Sequence, residues 1–150
     1  MATTRIPRFS GSRLRDARTA REWTRGRLGV AVGVTITSVA SWERGARSPT
    51  AATLKKLADI LGVEPGDLLD IPQSEWGQTE WRVTSGLEQK EVAAALGVSP
   101  TTLSAVEATY SALPAGMPAR LAKLYGTTSA EIEAAWKRDR RRLTTTGQPS

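Results

Sequence analysis

The sequence predicts an all-α protein built from a duplicated domain. Apolar residues recur at helical spacing on both sides of Gly33, which fits two short helices joined by a tight turn. A second stretch, residues 87–107, is rich in alanine and in residues that cap helices. The two stretches lie in one register, at a constant offset of 64 residues. Together these observations favour tandem helical domains over a single larger one.

The segment 30–37, VAVGVTIT, would be read as a pair of strands if judged alone, because it is rich in β-branched residues. Two residues favour helices instead. Gly33 can adopt the left-handed conformation that ends a helix, and the Thr35 hydroxyl can cap the next one. The plainly helical second copy decides between the alternatives, so we expect a helix on each side of Gly33.

The duplication extends without a gap through roughly sixty residues. Both copies keep charged, glycine and apolar residues at matched positions. The pairs are Arg18 and Arg82, Gly33 and Gly97, Val34 and Val98, Thr37 and Thr101, Glu43 and Glu107, Leu57 and Leu121, Ala58 and Ala122, and Gly62 and Gly126.

Motifs within the first copy resemble those of the Xre, or Cro/phage-repressor-like, helix-turn-helix proteins. They are RTAREWT, LGVAVGVT, WERGARSP and LKKLADILGVEPGDLL. The resemblance covers about Gly11 to Ile71, and about Glu75 to Trp136 in the second copy, which diverges after Glu107. It implies an all-α fold of two tandem five-helix, lambda-repressor-like domains that bind DNA.

The predicted organisation follows from the repeat and its flanks. It comprises a flexible N-terminal arm (1–10), a helix-turn-helix domain (11–71), a linker (72–74), a second, divergent domain with a basic C-terminal helix (75–142) and a disordered tail (143–150).

Composition excludes several classes of chemistry. Without cysteine or histidine, disulfides, thiolate or imidazole metal sites and histidine acid–base catalysis are all ruled out. No nucleophile–base pair or phosphate-cradling loop is recognisable, so we expect no enzyme, no catalytic residue, no metal and no cofactor. No apolar run is long enough to span a bilayer, and no secretory signal precedes the first domain. We therefore expect a cytoplasmic protein without a membrane partner.

Charge is divided unevenly along the chain, whose net charge is +6. Residues 1–71 carry 12 Lys and Arg against 7 Asp and Glu, a net charge of +5. Residues 72–136 carry 4 against 7, or −3, and residues 137–150 carry 5 against 1, or +4. Since phosphate neutralisation supplies most non-specific affinity for DNA, the first copy suits double-stranded DNA better than the second.

The third helix of the first copy, Thr35 to about Arg44, is the predicted recognition helix. Its helical period turns short side chains outward, where they can reach base edges in the major groove. The predicted base-reading residues are Thr35, Ile36, Thr37, Ala40 and Ser41. The predicted phosphate-binding residues are Arg25, Arg44, Arg47, Arg5 and Arg8. Without the resemblance, this surface would be read as an ordinary solvated helix.

The resemblance also implies a buried ion pair between Arg18 and Glu43, repeated as Arg82 and Glu107. Such a pair would fix the fold, because removing one partner leaves the other charge buried and unpaired.

The second copy lacks the arginines that follow the first recognition helix. Trp76 and Trp81 on its first helix fit either a protein interface or simple core filling, and Tyr110 and Leu113 suggest a protein-facing loop. The predicted function is a sequence-specific transcriptional regulator, a repressor by resemblance. It would bind as a homodimer on a palindrome or as one chain on an asymmetric site. The alternative is a protein-interaction module, antitoxin-like or an adaptor, whose second domain binds a polypeptide.

Overall fold

The computed structural model describes residues 5–146, and it divides into two compact units, residues 1–72 and 73–150. All regular elements in the described range are helical, apart from one isolated antiparallel bridge between Phe9 and Leu69. The first unit contains α1 (Gly11–Ala20), α2 (Arg25–Val32), α3 (Ile36–Glu43), α4 (Ala51–Leu61) and a 3-10 turn (Pro65–Leu68). The second contains a 3-10 turn (Gln73–Glu75), α5 (Gln78–Thr84), α6 (Gln89–Leu96), α7 (Pro100–Glu107), α8 (Met117–Tyr125) and α9 (Ser129–Thr146). The prediction of an all-α fold is confirmed.

The turn between α2 and α3 is helical on both sides, as the repeat predicted. Gly33 ends α2 in the left-handed conformation, with φ of 89°. The Thr35 hydroxyl accepts a hydrogen bond from the backbone N–H of Ser38 at 3.1 Å and so caps α3. Tertiary packing and caps therefore override the strand propensity of the β-branched residues.

The second copy repeats this turn bond for bond. Gly97 ends α6 with φ of 72°, and the Ser99 hydroxyl caps α7. The N–H of Val34 donates to the Gly29 carbonyl at 2.8 Å, and Val98 makes the equivalent bond to Ala93 at 3.0 Å. The match in sequence thus extends to the backbone.

Helix α3 is held in place by contacts with both α1 and α2. Its core residue is Val39, which is fully buried. The crossing with α2 is close, because a Cβ added at Gly29 would lie 2.9 Å from the Val34 carbonyl oxygen. The residues on the outward face of α3 therefore belong to a helix that is packed closely within its unit.

The structure differs from the predicted organisation in three segments. The expected fifth helix of the first unit is a single 3-10 turn at Pro65–Leu68. Residues 5–10, predicted to belong to a flexible arm, are tied to the domain: Ile6 is buried, and the N–H of Ser10 donates to the Leu68 carbonyl at 2.9 Å. Helix α9 continues to Thr146, past the predicted start of the disordered tail. The remainder of the arm and of the tail, residues 1–4 and 147–150, lies outside the described residues.

Trp76 and Trp81 are buried, and their rings meet edge to face with centroids 4.8 Å apart. This arrangement matches core filling and not the interface that their position suggested, because neither ring is exposed. In the part of the chain that the structure describes, no helix has the length and hydropathy needed to cross a membrane.

Candidate nucleic-acid interface

The outward face of α3 is formed by its N-terminal half. Thr35, Ile36 and Thr37 are exposed, and Ile36 is unusually open for an apolar residue, at 58%. Ala40 is half-buried. The Thr35 hydroxyl already serves the helix cap and also donates to the Ser38 hydroxyl at 3.1 Å. Ile36 and Thr37 are consequently the predicted base-reading residues whose side chains are most available.

Ser41 does not lie on this face, so its placement among outward base-reading residues is wrong. It is only 8% exposed. Because α3 packs against two helices, its buried arc is wider than the single stripe assumed from the helical period. The Ser41 carbonyl instead accepts the N–H of Ala46 at 3.0 Å and that of Arg47 at 3.4 Å, which shapes the loop that follows.

The loop after α3 brings three arginines to one place. Gly45 has φ of 76°, a left-handed conformation that glycine adopts without strain, and it separates the exposed Arg44 and Arg47. Arg5 joins them, because its Nη2 donates to the Gly45 carbonyl at 2.5 Å. The N–H of Ile6 donates to the Ser48 hydroxyl at 2.9 Å and fixes the segment that carries Arg5. A cationic cluster (Arg5, Arg44 and Arg47) therefore borders α3.

Arg8 takes a different position from Arg5. Its Nη2 donates to the Asp70 carbonyl at 2.7 Å, and the N–H of Asp70 donates back to the Arg8 carbonyl at 2.7 Å. The structure therefore attaches Arg8 to the last residues of the first unit and not to the loop after α3.

Glu43 is the centre of an ion-pair network at the end of α3, with a side chain only 2% exposed. Arg18 donates two hydrogen bonds to the Glu43 carboxylate, from Nε to Oε2 at 2.6 Å and from Nη2 to Oε1 at 3.0 Å. Arg25 adds a third, Nε to Oε1 at 2.9 Å. Burial alone would raise the pKa of Glu43, but the hydrogen bonds and charges of the two arginines outweigh it and lower the pKa.

Arg25 was predicted to bind phosphate, and the structure gives it this internal partner. Its side chain is still 48% exposed, but its charge is shared with Glu43. The second copy shows the same arrangement with a neutral residue, since Gln89 Nε2 donates to Glu107 Oε1 at 3.0 Å. The position therefore serves the ion-pair network in both units.

The second ion pair is formed by Arg82 and Glu107. Arg82 Nε donates to Glu107 Oε2 at 2.7 Å, and its Nη1 donates to the Leu87 carbonyl at 2.9 Å. The first unit has the equivalent bond, from Arg18 Nη1 to the Trp23 carbonyl at 2.7 Å. Each pair thus joins the first and third helices of its unit to the loop that precedes the second.

The loop after α7 carries the remaining predicted interface residues. Tyr110 is 76% exposed, and Leu113 is half-buried beside a shallow groove lined by Pro114, Pro118 and Glu133.

Two cationic contacts at the loops after α3 and α7 had no recognisable signal in the sequence. One is the bond from Arg5 to Gly45 described above. The other involves α9, where Arg140 Nη1 donates to the Thr109 carbonyl at 2.8 Å. Both bonds join segments that are far apart along the chain and end on backbone carbonyls, which carry no residue signature.

Family comparisons agree with this geometry in both units. A helix-turn-helix family model matches residues 14–68, and a second model, described as a helix-turn-helix domain, matches residues 79–135. The chain contains two helix-turn-helix domains in tandem. This duplication is consistent with an Xre-like family.

Curated relatives match parts of this tandem helix-turn-helix chain. An uncharacterized HTH-type transcriptional regulator of Mycobacterium tuberculosis (strain ATCC 25618 / H37Rv) is 37% identical over 57 residues, which are 38% of this chain and 22% of the relative. The HTH-type transcriptional regulator SutR of Escherichia coli (strain K12) is 38% identical over 69 residues, 46% of this chain and 39% of the relative. The matched part is therefore well under half the length of either relative. No solved structure matches the chain.

Proposed function

We propose that this protein is a sequence-specific double-stranded DNA-binding transcriptional regulator, and a repressor, that inserts α3 into the major groove. The observation that carries this proposal is the exposed N-terminal half of α3 flanked by the cationic cluster. The names of the matched relatives, both called HTH-type transcriptional regulators, support the regulatory role. No catalytic step is part of the proposal.

Backbone binding follows from the cationic cluster. A guanidinium can donate two parallel hydrogen bonds to a phosphate, and Arg44 and Arg47 are exposed on either side of Gly45. Arg5, held on the Gly45 carbonyl, adds a third charge at the same loop. Such contacts set the position of the protein on the duplex without reading its sequence.

In this proposal, short side chains on α3 contact the base edges. The Thr37 hydroxyl can donate to or accept from base edges, and Ile36 and Ala40 can contact thymine methyl groups. No arginine lies on the exposed N-terminal half of α3, so the common bidentate contact with guanine is missing from this face. We therefore propose moderate direct specificity, with α3 preferring sites that contain thymine.

The test of this function uses the full chain and a duplex selected from random sequences. Arg44→Ala should weaken binding and reduce the slope of log K against log salt concentration by about 0.9, because one phosphate contact is lost. Arg15→Ala is the matched control: it removes the same charge from an exposed position on α1, beside Asp16. Equal slopes for the two variants would contradict the proposal.

Specificity is tested separately with Thr37→Ala. Because this change removes a base-edge contact and no charge, it should alter the selected sequence while leaving the salt slope unchanged. The mass of the selected complex would show whether one chain or a homodimer is bound. If Thr37→Ala selects the same site as the wild type, Thr37 does not read the bases.

A polypeptide partner for the second domain remains the other candidate function, favoured by the exposed ring of Tyr110. Trp76 and Trp81 do not support this alternative, because both are buried. Loss of a polypeptide ligand in Tyr110→Ala, in a chain that binds no duplex DNA, would establish it.

A further inference from the structure

The same backbone position in the two units receives an arginine from opposite ends of the chain. Gly45 and Thr109 are separated by the repeat offset of 64 residues. Arg5, ahead of the first helix, donates to the Gly45 carbonyl at 2.5 Å, and Arg140, on the last helix, donates to the Thr109 carbonyl at 2.8 Å. Arg5 and Arg140 are not related by the repeat, so the two units make this contact with residues from different parts of the chain.

The receiving loops have the same shape. Thr109 has φ of 61°, close to the 76° of Gly45, although a β-branched residue rarely adopts this conformation. The N–H of Tyr110 donates to the Ala105 carbonyl at 2.9 Å, as the N–H of Ala46 does to Ser41 at 3.0 Å. Divergence of the loop sequence has therefore left the backbone after the recognition helix intact.

The cationic side chains of α9 lie on two faces of the helix. Lys137, Arg140 and Arg141 are spaced three and four residues apart, which places them on one side of a helix, and all three are exposed. Arg138 and Arg142 are used within the fold, on the carbonyls of Trp76 and Glu75. The exposed face (Lys137, Arg140 and Arg141, hereafter the α9 cationic face) thus lies beside the loop after α7.

The exposed surface of α7 is polar. Thr101, Thr102 and Ser104 are exposed, and Thr101 corresponds to Thr37 in the repeat. At the start of α6, in contrast, Glu91 caps the helix through a 3.0 Å bond from the N–H of Glu88. The carboxylates of Glu88 and Glu91 outnumber the exposed Lys90 there, and the net negative charge disfavours a phosphate. Backbone contacts by this unit must therefore be made on the side of α9.

We infer that the second helix-turn-helix unit is a second DNA-binding surface, with α7 as its reading helix and the α9 cationic face in place of the missing loop arginines. This inference rests on the proposed function of the first unit. In this arrangement Arg140 contacts the loop carbonyl as Arg5 does in the first unit. Lys137 and Arg141 supply the phosphate-binding charges that Arg44 and Arg47 supply there. The net charge of +4 on residues 137–150 then offsets the −3 of residues 72–136.

The test measures salt-dependent binding of the full chain to its selected duplex. Arg140→Gln and Arg141→Gln should each reduce the slope of log K against log salt concentration by about 0.9, and Arg140→Lys should restore it. Lys123→Gln, which removes an exposed charge from α8, should match the wild type. In hydroxyl-radical footprints, Arg140→Gln and Arg44→Ala should each remove protection from a different group of backbone sugars.

The outcomes separate this inference from the proposed function. If Arg44→Ala reduces the slope while Arg140→Gln and Arg141→Gln behave like Lys123→Gln, the first surface stands and the second is wrong. A lower melting temperature of Arg140→Gln with an unchanged slope would make Arg140 a loop clamp only and would also overturn the inference. A wild-type slope in Arg140→Gln, with a polypeptide ligand lost in Tyr110→Ala, would assign the unit to protein binding. A wild-type chain without affinity for duplex DNA would remove both proposals.

Discussion

At the scale of single residues, the ends of α3 and α7 are each fixed by a glutamate that neighbouring side chains hold. In the first unit these are Arg18 and Arg25, and the Glu43 side chain between them is 2% exposed. Because a desolvated charge is tolerated only when it is paired, each member of the network depends on the others. The network therefore positions α3.

Glu43→Gln should destabilise the first unit by about 3–5 kcal/mol, because the buried guanidinium of Arg18 loses its counter-charge. Asp59→Asn is the matched control, since it removes an exposed carboxylate from α4 and should change the free energy of unfolding by less than about 0.5 kcal/mol. Chemical denaturation of both variants measures the difference. Equal stabilities would show that the ion pair does not hold the fold.

The lowered pKa of Glu43 predicts a dependence on acid. Its carboxylate is favoured in the folded state, so its contribution is complete above the unfolded pKa of about 4.3 and is lost as the pH falls through the lower folded value. Unfolding free energies of the wild type should therefore decrease between pH 5 and pH 3 more steeply than those of Glu43→Gln. Parallel curves would contradict this.

At the scale of helices, the geometry of the turn depends on how closely α2 and α3 cross. The two glycines of α2 differ in this respect. A Cβ at Gly29 would lie 2.9 Å from the Val34 carbonyl oxygen, whereas a Cβ at Gly26 would find no atom closer than 3.9 Å. Gly29 is required by the crossing, and nothing in the structure explains a glycine at position 26.

Gly26→Ala should therefore raise the melting temperature, because alanine gains up to about 1 kcal/mol over glycine within a helix. Gly29→Ala should lower the melting temperature, because overpacking against the backbone costs about 1–3 kcal/mol. This cost exceeds the gain in helix propensity that alanine brings at either position. The pair is its own control, since both substitutions add one methyl group to α2. A higher melting temperature of Gly29→Ala than of Gly26→Ala would refute the close crossing.

At the scale of the whole molecule, the proposed DNA binding rests on the charges of arginine and lysine side chains. The chain has no histidine and no cysteine, and the proposed phosphate contacts are made by arginine and lysine. Affinity for the selected duplex should therefore stay constant between pH 6 and pH 7.5 while falling steeply with salt. Fluorescence anisotropy at fixed ionic strength measures this. A change of tenfold or more over that range would point to a titrating group in the complex.

The sequence alone determined the helical class, the duplication and the turn at Gly33, because these depend on local spacing, caps and the 64-residue register. The tertiary structure decided which side chains remain on the surface. Ser41 and Trp81 are buried since their helices pack on more than one neighbour, which a helical period does not reveal. Trp76 lies ahead of α5 and is buried against the ring of Trp81. The tertiary structure also decided where Arg5 and Arg140 lie, because bonds to distant backbone carbonyls leave no trace in the order of residues.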